Sequence, residues 1–306
     1  DDKVAAMLDA FFDPAHKDHK HARSFKTCYR EATGDDRCTG LVRDCDSTLM
    51  REALGTASWA EVLGDAITRR MVADYNIPGV FDVWRRMATV TGPGDFRLNE
   101  RTRIGGYGDL PTVAEGADYT ALTSPGDEKA TYAVAKRGGL ETVTLEMITN
   151  DDVGAVRRIP TNMARGAKRT LGKFVLDTVR NNAVIHDGKA LGHVDHGNLG
   201  AAALGGASLR VARLAMLKQA ELGSNEPLGI GPQTLWVPPD LEDAAVDLFR
   251  RNTENDKTFQ QSLALDVVPV WYWTDANDWA VTADPLNIPL MEVGFLHGEE
   301  EPALFV

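Results

Sequence analysis

The longest regular pattern of apolar and polar residues in the chain runs from about residue 145 to residue 182. Within it, one set of positions recurs at three- and four-residue spacing and basic residues occupy the opposite face, which is typical of an amphipathic helix. The recurring positions are Met163, Ala167, Leu171, Phe174, Val175 and Thr178, and the basic ones are Arg165, Lys168, Arg169, Lys173 and Arg180. Pro160 would remove a backbone hydrogen bond from a helix interior, so we expect a short helix ending near Ile159 and a second with proline in its first turn.

This second helix would be about 33 Å long at about 1.5 Å per residue, long enough to be the spine of a domain. The alternative is an ordinary amphipathic helix packed on a sheet.

The residues before this pattern divide into two parts. Residues 1 to about 55 are rich in charge and show little periodicity, which predicts an extended or partly ordered arm that needs another surface to lie on. A helix is predicted from Ser58 to about Asn76, before Pro78, with a capping-box spacing at its start. Its apolar stripe is Leu63, Ala66, Ile67 and Met71.

Residues 94–146 are punctuated by glycines and contain short strand-like runs at 132–134 and 142–145. Residues 124–127, Ser-Pro-Gly-Asp, are a turn signal between two extended limbs. The pattern predicts a long, twisted hairpin with too few apolar residues for a core of its own. An isolated two-stranded hairpin is marginally stable in water, so this one should lie across another surface, in its own subunit or in a neighbour. An irregular, loop-rich insertion is the alternative.

After residue 198 the predicted helices and strands are mixed, which is typical of a compact α/β or α+β domain with helices over a mixed sheet. The predicted elements are a helix at 208–222 capped by Ser208 and stopped by Gly223, a strand at 234–237, a helix at 241–251, a strand at 263–270, a hairpin of 271–273 with 279–281, and a strand at 291–296.

The composition limits the classes of protein that the chain can belong to. It has 306 residues, of which 43% are hydrophobic, enough for one large or two modest domains. Its 33 basic and 45 acidic residues give a net charge of -12, which argues against holding nucleic acid or an anionic membrane through its overall field. No apolar run is long enough to cross a bilayer. The odd cysteine count, Cys28, Cys38 and Cys45, fits a reduced, cytosolic compartment of assembly.

Only one group of residues suggests an enzyme: His193 and His196, with Asp187 and Asp195 beside them. The zinc-protease pattern places its histidines four residues apart on a helix with a glutamate after the first, whereas here the spacing is three and glycines flank the pair. A glycine-rich turn with polar caps is the favoured interpretation. The sequence also lacks a nucleophile elbow, a Walker loop and a dinucleotide-binding glycine motif in their structural settings. We therefore assign no catalytic, cofactor-binding or metal-binding residue, and predict that the protein is not an enzyme.

Several runs of sequence resemble a known family when taken in order. They are residues 95–97 (Asp-Phe-Arg), 110–119 (Leu-Pro-Thr-Val-Ala-Glu-Gly-Ala-Asp-Tyr), 150–160 (Asn-Asp-Asp-Val-Gly-Ala-Val-Arg-Arg-Ile-Pro), 187–191 with 196–198, and 235–238 with 279–285. Together they cover about residues 80 to 302. They resemble the Mu-like major head subunits of tailed bacteriophages, and the capsid part of prohead protease/major capsid fusion proteins.

The resemblance implies an α+β, HK97-like major capsid fold with five segments. These are an N-terminal arm (1–57), an N-terminal helix and connector (58–94), an extended hairpin loop (95–146), a peripheral domain with the spine helix (147–185) and an axial domain (186–306). The family usually continues past Pro302 into a strand that returns to the peripheral domain, whereas this sequence ends at Val306. No protease module precedes Asp1, so descent from a fusion would imply its removal by cleavage.

The function implied is that of a major capsid protein that assembles with itself, as hexamers and pentamers, into an icosahedral shell in the virion. The family's further partners are a portal, a scaffold or protease, and in some cases decoration proteins. The shell is assembled in the bacterial host cytoplasm and encloses double-stranded DNA without sequence-specific binding. The resemblance implies neither a cofactor nor a membrane partner. The alternatives are an encapsulin-like compartment shell and, in another class, a metal-dependent enzyme centred on His193 and His196.

Overall fold

The computed structural model of the protein describes residues 2–22, 24–34, 57–105, 109–122, 127–142, 150, 153–250 and 259–305. Helices and strands are combined in these ranges, in agreement with the predicted α+β class. The helices are α1 (Asp2–Phe12), α2 (Phe25–Thr33), α3 (Ala57–Asn76), α4 (Val153–Arg180), α5 (Gly206–Leu217), α6 (Glu242–Asp247) and α7 (Phe259–Leu263). The strands are β1 (Ala88–Thr91), β2 (Asn99–Ile104), β3 (Asp127–Tyr132), β4 (Thr234–Val237), β5 (Asp266–Pro269), β6 (Ala280–Thr282) and β7 (Met291–Gly294).

The chain forms two compact units. The first consists of Asp1–Asp82, Lys136–Gly172 and Glu300–Val306, and the second of Val83–Ala135 and Lys173–Glu299. None of the helices in the described part of the chain has the length and apolar content that a bilayer crossing requires.

The first unit has a helical core in which α1, α2 and α3 pack with the first half of α4. Its fully buried aromatic residues include Phe11, Phe25 and Tyr29, and Leu304 near the C-terminus packs against the same core. Helix α2 is closed at both ends, because the Ser24 hydroxyl accepts a hydrogen bond from the Thr27 N–H and Gly34 ends the helix in the left-handed conformation. The prediction of an extended or partly ordered arm is therefore wrong for residues 2–12 and 25–33. The buried residues of both helices do recur at helical spacing, namely Val4, Leu8, Phe11 and Phe12 in α1 and Phe25, Cys28 and Tyr29 in α2. The many charged residues of the segment obscure this period in the sequence.

Helix α4 is continuous through Pro160, so the prediction of two helices that meet there is wrong. Proline removes one intrahelical hydrogen bond. Val156 on one side of it and Ala164 on the other are both fully buried in the first unit. Burial of one apolar face along both halves offsets the lost hydrogen bond.

Two side chains of α4 lie on the face opposite to the predicted one. Lys168, assigned to the polar face, is only 8% exposed, and Phe174, assigned to the apolar stripe, is 52% exposed. Lys168 is satisfied inside the first unit, because its Nζ donates to the backbone carbonyl oxygen of Ile77 at 2.5 Å and to Asp82 at 2.8 Å. A buried cation is tolerated when such partners replace its water.

The described residues of the second unit form three small sheets. Strands β1 and β7 pair in parallel, β2 and β3 pair antiparallel, and β4 lies at the centre of a three-stranded sheet between β5 and β6. All four residues of β4 are buried, as expected for the predicted strand at 234–237. The surrounding core combines Leu209 of α5 with residues of the sheet and of α6.

The sheet pairing differs from the predicted hairpin of residues 271–273 with 279–281. Strand β6 pairs antiparallel with β4, and residues 271–272 form a turn after β5. The pairing gives the buried Trp236 a partner, since its Nε1 donates to the Thr282 hydroxyl at 2.9 Å. A buried indole N–H needs an acceptor, which the hairpin would not provide.

Several bounds in the second unit are shorter than predicted. Helix α5 ends at Leu217 and not at 222, because the chain turns back through Gly223 at a φ of 86°. The predicted helix 241–251 is formed over Glu242–Asp247, and its last residue lies outside the described residues. The predicted strand 263–270 is divided into the end of α7 and β5, and β7 ends at Gly294.

The segment predicted as a long hairpin contains the β2–β3 pair. Asn99 lies opposite Tyr132 and Ile104 opposite Asp127. Strand β3 covers Asp127–Tyr132, so only the first residue of the strand predicted at 132–134 belongs to it. Residues 124–126 of the turn predicted at 124–127, and residues 143–145 of the strand predicted at 142–145, lie outside the described residues.

Candidate functional site: the hairpin base and the histidine loop

One carboxylate joins the β2–β3 hairpin to the β1–β7 strand pair. Glu292 Oε1, on β7, accepts hydrogen bonds from Arg101 Nε of β2 at 2.7 Å and from the Thr91 hydroxyl of β1 at 2.8 Å. It also accepts a short hydrogen bond from the Tyr132 hydroxyl of β3. The hairpin base is the name used below for these four residues, Thr91, Arg101, Tyr132 and Glu292.

The hairpin base is also close-packed. A Cβ atom built on Gly294 would lie 2.8 Å from Tyr132 Cε2 and 2.8 Å from Pro93 Cγ. Real Cβ contacts are not this short, so the Tyr132 ring can lie here only because residue 294 has no side chain. Packing and hydrogen bonding therefore hold the end of β3 at the same place on β7.

The electrostatics of the hairpin base favour a charged Glu292. Partial burial on its own would raise the pKa of Glu292, but the hydrogen bonds from Tyr132, Arg101 and Thr91 outweigh burial, and the pKa lies below its ordinary value. The pKa of Tyr132 is raised, first by burial and then by its hydrogen bond to Glu292. At neutral pH the centre of the hairpin base is thus the Glu292 carboxylate, which accepts hydrogen bonds from a guanidinium and two hydroxyl groups.

Beyond the base, the second unit presents apolar side chains to solvent between β2 and β3. Leu110 is 77% exposed and Tyr119 is 89% exposed. Residues 109–122 contain Asp109, Glu115 and Asp118 and no basic residue. Another molecule that covered these side chains would remove their apolar area from water. The acidic segment is the name used below for residues 109–122.

Residues 182–198, called here the histidine loop, follow α4 and are held by hydrogen bonds to backbone groups. The Asn182 side chain accepts from the Gly192 N–H at 2.6 Å and donates to the Gly192 carbonyl oxygen at 3.0 Å. Gly188 and Gly197 have positive φ, at 78° and 63°, which lets the chain turn sharply there. The loop therefore has a defined conformation of its own.

Two charge pairs lie across the histidine loop. His196 Nε2 is 2.9 Å from Asp187 Oδ2, and its Nδ1 is 3.2 Å from the carbonyl oxygen of Leu191. Both ring nitrogens face acceptors, so the doubly protonated ring is favoured. The hydrogen bond with Asp187, followed by that with Leu191, raises the pKa of His196, and the hydrogen bond with His196 lowers the pKa of Asp187. The second pair joins Lys189 Nζ to Asp195 Oδ2 at 2.8 Å.

The loop brings His193 and His196 together, with ring centroids 5.7 Å apart, but gives them structural tasks. His193 Nδ1 accepts from the Asp195 N–H at 3.2 Å, capping a single helical turn. A zinc ligand must present a free nitrogen lone pair to the metal, and the observed contacts occupy three of the four ring nitrogens. Over the described ranges, no three His, Cys, Asp or Glu side chains are grouped as a metal site. The loop geometry thus favours the turn with polar caps over the metal-dependent enzyme.

Histidine and cysteine side chains also lie in the first unit. His19 Nδ1 is 2.7 Å from the carbonyl oxygen of Ala10 in the first unit, and Cys28 is buried in the core there. Cys38 and Cys45 lie outside the described residues. The residues of the hairpin base were not identified from the sequence, because no local motif marks a network whose members are up to 201 positions apart.

The comparison with known proteins gives one match. A family model described as phage capsid protein matches residues 127–306, which is more than half of the chain and extends from β3 to the C-terminus. No curated protein and no solved structure matches the chain. The matched residues include α4, the histidine loop and two members of the hairpin base, Tyr132 and Glu292. The protein belongs to the phage capsid protein family, a family of structural proteins of the virion.

Proposed function

We propose that this chain is a major capsid protein with an HK97-like fold, which assembles with itself into an icosahedral shell that encloses a phage genome. Within the capsid family we place it in the Mu-like major head subunit and protease-fusion group, on the sequence runs that resemble that group. The observation that carries the proposal is the acidic segment, whose exposed apolar side chains extend from a firmly attached hairpin.

The acidic segment suits a contact between copies of the chain. Leu110 and Tyr119 would each remove apolar area from water in such a contact, at about 25 cal/mol per Å². A single small contact of this kind is weak. In a closed shell the contact repeats in every copy, so weak contacts add up to a stable particle.

The hairpin base suits a segment that has to reach a neighbour. Because Glu292 holds both β2 and β3, the hairpin has a fixed position on the β1–β7 pair before any partner binds. Pre-organisation of this kind lowers the conformational entropy lost on association. The acidic charges of the segment would select register and partner more than they would add affinity.

In this proposal residues 1–57 form the N-terminal arm, with α1 and α2 inside it, and 58–94 the N-terminal helix and connector. Residues 95–146 form the extended hairpin loop, 147–185 the peripheral domain with α4 as its spine, and 186–306 the axial domain. The chain forms hexamers and pentamers, and its further partners are a portal, a scaffold or protease, and decoration proteins. The shell assembles in the host cytoplasm, becomes part of the virion, and surrounds double-stranded DNA without sequence-specific binding.

The test is electron microscopy and sedimentation of the purified chain and two double variants. We expect uniform hollow particles, tens of nanometres across, from the wild-type chain. The double variant Leu110→Asp/Tyr119→Asp should stay folded by circular dichroism, since both side chains are exposed, and should not form particles. The matched control Leu110→Met/Tyr119→Phe keeps the apolar surface and should assemble. Normal particles from the aspartate variant would contradict the assigned role of the acidic segment, and a wild-type chain that never assembles would contradict the proposed function.

A further inference from the structure

Helix α4 carries a charge opposite to that of the chain. Its 28 residues contain seven basic side chains, Arg157, Arg158, Arg165, Lys168, Arg169, Lys173 and Arg180, and one acidic side chain, Asp177. The helix therefore has a net charge of +6 in a chain whose net charge is -12. Concentrating like charges on one helix is unfavourable unless they have partners, so the position of each one matters.

Four of the seven basic side chains have partners within their own unit. In the first unit, Arg157 donates to the carbonyl oxygen of Ala22 and lies 4.4 Å above the Phe11 ring, and Lys168 pairs with Asp82. In the second unit, Lys173 lies over the Tyr272 ring and Arg180 donates to the Thr274 hydroxyl. These contacts give each of the four side chains a role in the fold of its own unit.

The other three, Arg158, Arg165 and Arg169, point to solvent from the first unit. Across the ranges that the structure describes, none of their side chains takes part in a hydrogen bond or an ion pair. They lie at positions i, i+7 and i+11, on one face of the helix, over a length of about 16 Å at about 1.5 Å per residue. Asn162, at i+4, is the exposed residue between the first two. The arginine stripe is the name used below for the three arginines.

The arginine stripe fits a linear anion. Guanidinium groups bind phosphate through two parallel hydrogen bonds, and a nucleic acid backbone presents phosphates at regular intervals along a line. Neither the arginines nor Asn162 offers an aromatic ring for stacking on bases, so contacts here would be to the backbone and independent of sequence.

A second copy of the chain offers a different anion, the acidic segment, but the stripe fits it poorly. That segment exposes Leu110 and Tyr119, which need an apolar surface, and the stripe is entirely polar.

The negative net charge of the whole chain would keep binding of nucleic acid to the stripe weak and local. Weak binding suits the inner wall of a shell, along which DNA has to move.

We propose that the arginine stripe binds the phosphate backbone of nucleic acid without sequence preference. The inference rests on the proposed function, since an enclosed genome is the nucleic acid that a capsid subunit would meet. To that function the inference adds which face of the subunit contacts the genome, and that the contacts are made to the phosphate backbone.

The test is fluorescence anisotropy of a short labelled DNA duplex of mixed sequence, titrated with the unassembled full-length chain over a range of salt. Three phosphate contacts predict that the affinity falls about 40-fold between about 50 and 200 mM salt, with a slope of about -2.7 in log affinity against log salt. The variant Arg158→Gln/Arg165→Gln/Arg169→Gln should lose most of this affinity and most of the slope. The matched control, Arg103→Gln/Arg210→Gln/Arg250→Gln, removes three exposed arginines outside the stripe and should keep both.

Circular dichroism melting and electron microscopy of both variants complete the experiment. Unchanged melting and normal particles, together with lost DNA affinity in the stripe variant only, would support the inference. Equal DNA affinity in the wild-type chain and the stripe variant would overturn it. Loss of particles with DNA affinity unchanged would overturn it as well, and would make the stripe a contact between subunits. Failure of the wild-type chain to form particles would count against the proposed function. The DNA affinities of the wild-type chain and the stripe variant would still decide whether the stripe binds DNA, because they are measured on the unassembled chain.

Discussion

Arg101 Nε lies 2.7 Å from Glu292 Oε1, although the two residues are 191 positions apart in the chain. This hydrogen bond joins the first strand of the hairpin to the last strand of the chain. Tyr132 and Thr91 donate to the same carboxylate, so one side chain on β7 holds the first strand of the hairpin through Arg101 and the end of its second strand through Tyr132. The position of the hairpin on the β1–β7 pair therefore depends on Glu292.

We expect Glu292→Gln to loosen the hairpin without unfolding the second unit. The amide has nearly the shape of the carboxylate but loses the charge that strengthens the hydrogen bonds from Arg101 and Tyr132. Hydrogen exchange of the β2 and β3 amides should become about tenfold faster, as for the loss of a hydrogen bond to a charged group. Glu100→Gln, which breaks the exposed Glu100–Lys129 pair, is the control and should change exchange little. Equal exchange in both variants would contradict the role of Glu292.

Acid should have the same effect as Glu292→Gln. The pKa of Glu292 is lowered in the folded chain, so its stabilising contribution is complete above the ordinary carboxyl value of about 4.5 and is lost as the pH falls through the lowered value. Hydrogen exchange in β2 and β3 should accelerate in that acid range for the wild-type chain and stay flat for Glu292→Gln. A parallel acid response in the two proteins would assign the transition to another carboxyl group.

Gly172 should tolerate no side chain. A Cβ atom there would lie 2.7 Å from the backbone carbonyl oxygen of Phe81, which cannot move without shifting the chain. Gly172→Ala should therefore destabilise the protein by about 1–3 kcal/mol in urea unfolding. Gly166→Ala, in the same helix with nothing within 4 Å of its Cβ position, should stabilise it by about 0.5–1 kcal/mol. The opposite signs are the prediction, and destabilisation by both variants would refute it.

Lys168→Met should destabilise the protein far more than the substitution of an exposed lysine would. Lys168 is buried in the first unit, and its removal leaves the Ile77 carbonyl oxygen and Asp82 without their donor. Loss of one partner of a buried pair costs about 3 kcal/mol, measurable by urea unfolding. Arg169→Met, at the next and exposed position, should change stability by less than about 0.5 kcal/mol. Adding Asp82→Asn to Lys168→Met should cost less than the sum of the two single changes, and additive losses would show that the pair does not interact.

The histidine loop should lose stability as the pH rises above the ordinary pKa of histidine. The pKa of His196 is raised by Asp187 above its ordinary value of about 6.5, so the stabilisation from this pair is complete below that value and is lost as the pH rises through the raised one. Titration of the His196 ring by NMR should give a midpoint above about 6.5, and Asp187→Asn should lower it. A midpoint that does not move in Asp187→Asn would exclude the pair as its cause.

The predictable parts of the fold are those in which one short stretch of sequence decides the structure. Strand β4 was predicted because four consecutive residues that favour strands are followed by two prolines. The long helix was predicted from its period, and the β2–β3 pair lies in the segment predicted as a hairpin. Capsid family membership was likewise accessible from the order of several short runs, and the family match agrees with it.

Other features depend on contacts that no short stretch contains. Helical spacing groups residues on a face, but it does not say which face meets the core, and so Lys168 and Phe174 were assigned to the wrong ones. Pro160 predicts a boundary between two helices because the local cost of proline can be read from the sequence, whereas the burial of Val156 and Ala164, which offsets that cost, cannot.

The sequence by itself determined the elements with a strong local period, the acidic balance of the chain and its family. The tertiary structure decided that β6 pairs with β4, that three arginines of α4 stay without partners among the described residues, and that Thr91, Arg101, Tyr132 and Glu292 meet. The physical reason is that local propensities set the conformation of a few neighbouring residues, whereas strand register and side-chain packing are set by the free energy of contacts between residues far apart in the chain.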